Sequence, residues 1–173
     1  FELVGDLRLS KRFYAAAELG YEERLWLEQN LEATFNGSYM KIGGDFNAYL
    51  NWTGMQNGIT TGLRYGISRF NNSLIRYPIY TTNTTFPSNI RNDKITFNEL
   101  SAGWIEFILA IKTELWSNTY LSLNLQLKHI LHEDEPANFA NLIIPGFNKT
   151  NDFSSFGVGY GYTLTYFIPL LKR

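Results

Sequence analysis

Hydrophobic and polar residues take turns along most of this chain. From Thr119 to His129, Leu121, Leu123, Leu125 and Leu127 alternate with Ser122, Asn124, Gln126 and Lys128, the period of two that sends successive side chains to opposite faces of a strand. From Phe156 to Tyr166 the same rhythm sets Phe156, Val158, Tyr160, Tyr162, Leu164 and Tyr166 against Gly157, Gly159, Gly161, Thr163 and Thr165. Three glycines in that run also argue against a helix. Five further stretches repeat the pattern. Near residues 1–10, Phe1, Leu3, Leu7 and Leu9 oppose Glu2, Asp6 and Arg8; in 13–22, Phe13, Ala15, Ala17, Leu19 and Tyr21 oppose Tyr14, Glu18 and Glu22. In 39–50, Met40, Ile42, Phe46 and Ala48 oppose Lys41, Asp45 and Asn47; in 59–68, Leu63, Tyr65 and Ile67 oppose Gly62, Arg64 and Gly66. In 104–114, Ile105, Phe107, Leu109 and Ile111 oppose Glu106, Lys112 and Glu114. The pattern predicts seven strands of about ten residues and no helix.

The intervening stretches alternate in length. Those near residues 10–12, 51–57 and 116–118 are short, whereas about 23–37, 71–96 and 131–155 are long, which puts every long loop at one end of an up-and-down meander. Outer-membrane barrels share that asymmetry, with short turns on one side of the bilayer and long loops on the other. Single-chain bacterial barrels also have an even number of strands. Counting back from a last strand that descends, the expected fold is an all-β transmembrane antiparallel up-and-down β-barrel of eight strands, the first upstream of residue 1. The whole of 1–173 forms its single domain.

A soluble barrel would place the apolar face inward and a membrane barrel outward, so function turns on which face is outside. The polar face carries small residues such as Gly157, Gly159, Gly161 and Thr163, which suit the narrow lumen of an eight-stranded barrel. That face also holds every charge of the seven segments: Glu2, Asp6, Arg8, Glu18, Glu22, Lys41, Asp45, Arg64, Glu106, Lys112, Glu114 and Lys128. A Lys or Arg facing lipid at mid-bilayer would cost about 2–4 kcal/mol. The apolar face is therefore expected to meet lipid, with Leu121, Leu123, Leu125, Tyr160, Tyr162 and Leu164 as its clearest members. Mixed charges in a narrow lumen must pair, and Glu18, Asp45, Arg64, Glu106, Lys112, Glu114 and Lys128 are expected to form an ion-paired plug. A lipocalin-like soluble barrel is the inverse arrangement, which side-chain size and charge both disfavour. Trp52, Trp116, Tyr160, Tyr166 and Phe167, read as lying near strand ends, suit interfacial girdles.

Composition narrows the functions. With 173 residues, 45% hydrophobic and 18% charged, the chain is one ordered domain. Its net charge of −1 and its lack of a basic tract argue against nucleic acid as a partner. No cysteine is present, so thiol chemistry is excluded. No run of about 18 apolar residues suits a membrane helix, and any crossing must be made by strands. The imidazoles are His129 and His132, the latter beside Glu133, Asp134 and Glu135. A Ser/His/acid lipid hydrolase or a calcium site could be assembled there, but a solvated charged loop is the simpler reading. The expectation is no catalytic residue, cofactor or metal. Ile144-Pro145-Gly146-Phe147 reads as a defined turn holding an apolar side chain against a neighbour.

Several runs carry a resemblance: Ser38-Tyr39-Met40-Lys41-Ile42-Gly43-Gly44-Asp45-Phe46-Asn47, Gly62-Leu63-Arg64-Tyr65-Gly66-Ile67-Ser68, Trp104-Ile105-Glu106, Ile144-Pro145-Gly146-Phe147 and Gly157-Val158-Gly159-Tyr160 with Tyr162-Thr163. Together, over nearly the whole chain, they resemble a family of small outer-membrane β-barrels found in Bacteroidota. The resemblance implies a non-catalytic accessory subunit of the barrel assembly (protein insertion) machinery. Its implied partners are the outer-membrane bilayer, a central barrel insertase and a small surface lipoprotein, with the long loops at the cell surface. It carries over no catalytic residue. A stand-alone surface adhesin or lipoprotein-anchoring barrel is the alternative, and a lipid-modifying enzyme a more distant one. The chain departs from many such barrels in following Phe167 with Ile168, Pro169, Leu170, Leu171, Lys172 and Arg173.

Overall fold

The computed structural model describes residues 1–50, 57–79, 89–136, 139–151 and 153–168. Its strands are β1 (Glu2–Arg8), β2 (Phe13–Glu28), β3 (Leu31–Leu50), β4 (Gly58–Ile79), β5 (Asn89–Arg91), β6 (Ile95–Trp116), β7 (Thr119–Glu133), β8 (Ile143–Ile144), β9 (Asn148–Lys149) and β10 (Phe156–Tyr166). The main sheet runs β1-β2-β3-β4-β6-β7-β10, with the short β5 hanging on β4 and β8-β9 forming a separate hairpin. Every pairing is antiparallel. The protein is all-β, and the sheet curls strongly into a half-barrel. Because direction reverses at each of the six pairings along that path, the two outermost strands, β1 and β10, run the same way.

Of the expected long loops, 23–37 is not a loop, and the described part of 71–96 is largely strand, residues 80–88 lying outside the described residues. Residues 23–28 and 31–37 continue β2 and β3 to a tight turn at Gln29 and Asn30, and residues 71–79 and 95–96 belong to β4 and β6. β3 has 20 residues and β4 and β6 have 22 each, about twice what a tilted strand needs to cross a bilayer. Between β7 and β10, only residues from Asp134 to Ser155 leave the main sheet.

The reason lies in which face carries the apolar residues. In the lower half, Met40, Ile42, Leu63, Ile67, Phe107, Leu123 and Val158 stand exposed on the convex face, while Glu18, Lys41, Arg64, Glu106 and Lys128 are buried on the concave one. Further up the same strands the assignment reverses. Ala33, Phe35, Phe70 and Leu74 are buried inside, and the alternate positions Thr34, Asn36, Asn71 and Ser73 face outward in their place. The change falls where Tyr21, Ser38, Arg69 and Ser101 pair in one row across four strands, directly above the row of Leu19, Met40 and Ile67. Below that row the sheet has a polar inside and an apolar outside; above it, the sheet has an ordinary hydrophobic core.

The 134–155 segment supplies that core's missing side. Ile144 and Phe147 bury against Phe70, Ala102 and Trp104, and Ile143 buries against Ala33, Phe35 and Leu74. Phe147 meets Trp104 edge-on at 5.9 Å between ring centroids, a favourable aromatic geometry. The ring also lies so close to Gly157 that a Cβ there would fall 2.7 Å from it. The expected turn at Ile144–Phe147 is thus the tip of a segment folded down into the half-barrel.

Candidate functional site

Seven of the charged residues that the alternation sends inward meet in one layer beneath this tip. Lys41 Nζ lies 2.9 Å from Glu18, 3.6 Å from Glu106 and 3.7 Å from Glu2. Arg64 donates through Nε to Glu18 at 3.1 Å and through both Nη atoms to Asp45 at 2.8 Å, the two-pronged geometry a guanidinium favours. Lys128 lies 3.6 Å from Glu106, and the Trp104 indole N–H donates to the same carboxylate at 3.3 Å. β1, β2, β3, β4, β6 and β7 each contribute a member. Four acids, Glu2, Glu18, Asp45 and Glu106, thus face three bases, Lys41, Arg64 and Lys128. Lys41 touches three of the four acids, and it stands at the centre of the network.

Lys112 and Glu114 stand apart from the layer. They lie nearer the short-turn end, half-buried, with Lys112 over the Tyr120 ring at 5.1 Å and the Glu114 backbone N–H donating to Asn57. No ion pair joins either to the network among the described residues.

The inserted segment closes the layer from above. Lys128 Nζ donates to the Gly146 carbonyl at 2.8 Å, and the Gly146 N–H donates to Glu22 at 3.0 Å, so both backbone groups of one residue are held by charges of the main sheet. Glu22 in turn pairs with Arg24, whose Nη1 donates to Asn148 Oδ1 at 2.7 Å. Gly146 adopts φ 82° against the Tyr39 ring, where a Cβ would come within 2.5 Å of ring carbon, so both conformation and space call for glycine.

Higher up, Asn72 Nδ2 donates to Asn141 Oδ1 at 2.8 Å, and Asn141 donates to Glu133 and to the Asp134 carbonyl. Asn72→Ala leaves the buried Asn141 oxygen without its donor, a loss of about 1–3 kcal/mol. Amide exchange across 139–147 is expected to speed up tenfold or more, while Asn71→Ala, on the outer face, leaves it unchanged. Equal exchange in both variants would show that the segment is held elsewhere.

The remaining candidates do not converge. His129 stacks on Phe156 at 4.5 Å, and His132 covers Gly103. Asp134 accepts from the Ser101 hydroxyl and N–H at 2.6 and 2.9 Å. Those bonds, with His132 nearby, hold its carboxyl below the usual range. Ser101 therefore points at the acid rather than at an imidazole, so its hydroxyl has no base of the Ser–His kind. Among the described residues, no three His, Cys, Asp or Glu side chains are grouped to hold a metal ion.

On the convex wall Leu123, Leu125, Tyr160, Tyr162 and Leu164 are exposed and Leu121 is half-buried. Trp116, Tyr166 and Phe167 are exposed at the short-turn end. Tyr160 is not near a strand end: it sits mid-strand opposite Leu125, 88% exposed. Trp52 lies outside the described residues.

Residues 1–173 match a family model described as Domain of unknown function (DUF6048). No curated protein and no solved structure matches the chain.

Proposed function

The chain belongs to the DUF6048 family, and on that footing we propose that it is an integral outer-membrane β-barrel acting as a non-catalytic accessory subunit of an outer-membrane protein assembly complex. The observation that carries the membrane part is the reversal of polarity at the Tyr21–Ser38–Arg69–Ser101 row. A sheet wholly in water has no reason to turn its apolar face outward over half its height, and bare apolar area on that scale marks contact with lipid or protein. In this reading the lower half is the transmembrane wall and the upper half stands at the cell surface. One further strand antiparallel to both β1 and β10 would fit between them and close an eight-stranded barrel.

The paired layer and the Gly146 tip leave no evident route through the lumen, which argues against transport. The carboxylates of the layer are tied to bases and Ser101 is tied to Asp134, which favours a non-catalytic role. What is left is surface: a rigid protrusion and a lipid-facing wall, both suited to docking other proteins. The central insertase and small surface lipoprotein enter through the resemblance of the Ser38–Asn47, Gly62–Ser68, Trp104–Glu106, Ile144–Phe147 and Gly157–Thr163 runs to the Bacteroidota barrels. Depleting the protein is expected to lower the levels of other outer-membrane barrels, and mild detergent extraction is expected to bring an insertase down with it. Unchanged barrel levels together with no co-purified insertase would remove the assembly role and leave a membrane-anchored adhesin or lipoprotein anchor.

A further inference from the structure

The core of the upper half is built from two unlike parts. One is a wall: Ala33 and Phe35 on β3, Phe70 and Leu74 on β4, and Ala102 and Trp104 on β6 are buried and held in register by the β3–β4 and β4–β6 ladders. The other is the stretch from Phe139 to Thr150, which covers that wall. Its backbone bonds are local: the Phe147 N–H donates to the Ile144 carbonyl, the Thr150 N–H to the Leu142 carbonyl, and β8 pairs with β9. Among the described residues, no backbone-to-backbone hydrogen bond joins the stretch to the main sheet.

It is held instead in the way a cleft holds a peptide. Ile143, Ile144 and Phe147 bury their side chains against the wall. Lys128 and Glu22 grip the carbonyl and the N–H of the tip. The tip itself selects glycine, through its φ of 82° and its closeness to the Tyr39 ring. The match is incomplete at one point. Asn72 turns its Nδ2 to Asn141, yet the Oδ1 of the same amide is buried with no donor among the described residues, so the stretch leaves one acceptor of the wall unanswered. Because the wall is fixed by ladders of its own, these contacts can be made equally by a stretch from another chain.

We propose that Phe139–Thr150 is a resident, autoinhibitory ligand, and that the cleft beneath it takes up a turn-forming segment of a partner protein in its place. The chemistry of that segment follows the resident: two adjacent branched apolar residues, a glycine at the turn and an aromatic residue directly after it. A donor side chain that reaches Asn72 Oδ1 would give the partner a bond that the resident lacks. The cleft lies above the polarity boundary, so the proposal stands apart from the membrane reading of the lower wall.

The test uses the full chain in detergent and a fluorescent synthetic peptide with the sequence of residues 139–150, binding being read by anisotropy. The unaltered chain is expected to take up the peptide weakly, because the tethered resident competes at an effective concentration on the order of millimolar. Phe147→Ala in the chain removes the ring that meets Trp104 and is expected to raise peptide affinity roughly tenfold or more. Gly146→Ala strains the tip without leaving a cavity and is expected to act the same way, so a folding failure of the first variant does not end the test. A peptide carrying Gly146→Val is expected to bind none of these chains. Affinity that rises in neither variant, equal binding of the Gly146→Val peptide, or no peptide binding at all would each overturn the proposal. Insertion into liposomes, measured separately, decides the membrane reading alone.

Discussion

Glu106→Leu is expected to destabilise the folded protein by about 3–5 kcal/mol, the cost of leaving a buried charge without its partner. Glu106 is fully buried, and it is the carboxylate within ion-pair distance of Lys128. Without it, Lys128 keeps, among the described residues, the Gly146 carbonyl as its partner, and Lys41 loses one of its three acids. Unfolding by urea of protein refolded in detergent gives the loss directly. Lys128→Met in the same chain should return most of it, since a buried pair replaced by apolar residues of similar size is often neutral. A cost under about 1 kcal/mol would instead mark the layer as wet and loosely coupled, like surface pairs.

Leu123→Arg is expected to cost about 2–4 kcal/mol when folding is measured in a lipid bilayer. Leu123 stands on the convex wall between Ile111 and Tyr162 in the neighbouring strands. Thr34→Arg is the matched control, on the same face but above the polarity boundary, and is expected to change stability by less than about 0.5 kcal/mol. The two together locate the bilayer. If both were tolerated alike, or if the protein stayed in solution without detergent, the transmembrane wall would have to be abandoned.

The lower half of the fold could be read from the chain because period, charge and side-chain size agree there. In 119–129 and 156–166 each small or polar residue marks the inside. The upper half could not be read that way. At Ser38–Tyr39–Met40 the apolar positions move from odd numbers, Ala33 and Phe35, to even ones, Met40 and Ile42. A reader following one face sees the pattern stop, although the strand goes on. The turn that follows β2 gives no help either, since Gln29 and Asn30 include no glycine or proline to punctuate it. The inward set of charges was visible, but its pairing was not. Whether Arg64 reaches Asp45 or Glu114 depends on strand register and on height along the strands, and alternation says nothing about either. Ile144–Phe147 reads as a turn; that it points down into the half-barrel depends on Gly157 and Trp104, which no local pattern connects to it.

The strands that run on past the boundary also have a mechanical meaning. From Leu31 to Ser38, β3 rises about 25 Å along its own length beyond the row at which the apolar wall begins, hydrogen-bonded to a neighbour on both sides. A load applied at Gln29 or Asn30 would have no slack coil to draw out. It would be carried in shear by the ladders straight down to Lys41, Arg64 and Glu106, so the upper sheet behaves as a stiff post and a pull at its tip is felt in the lower wall of the half-barrel.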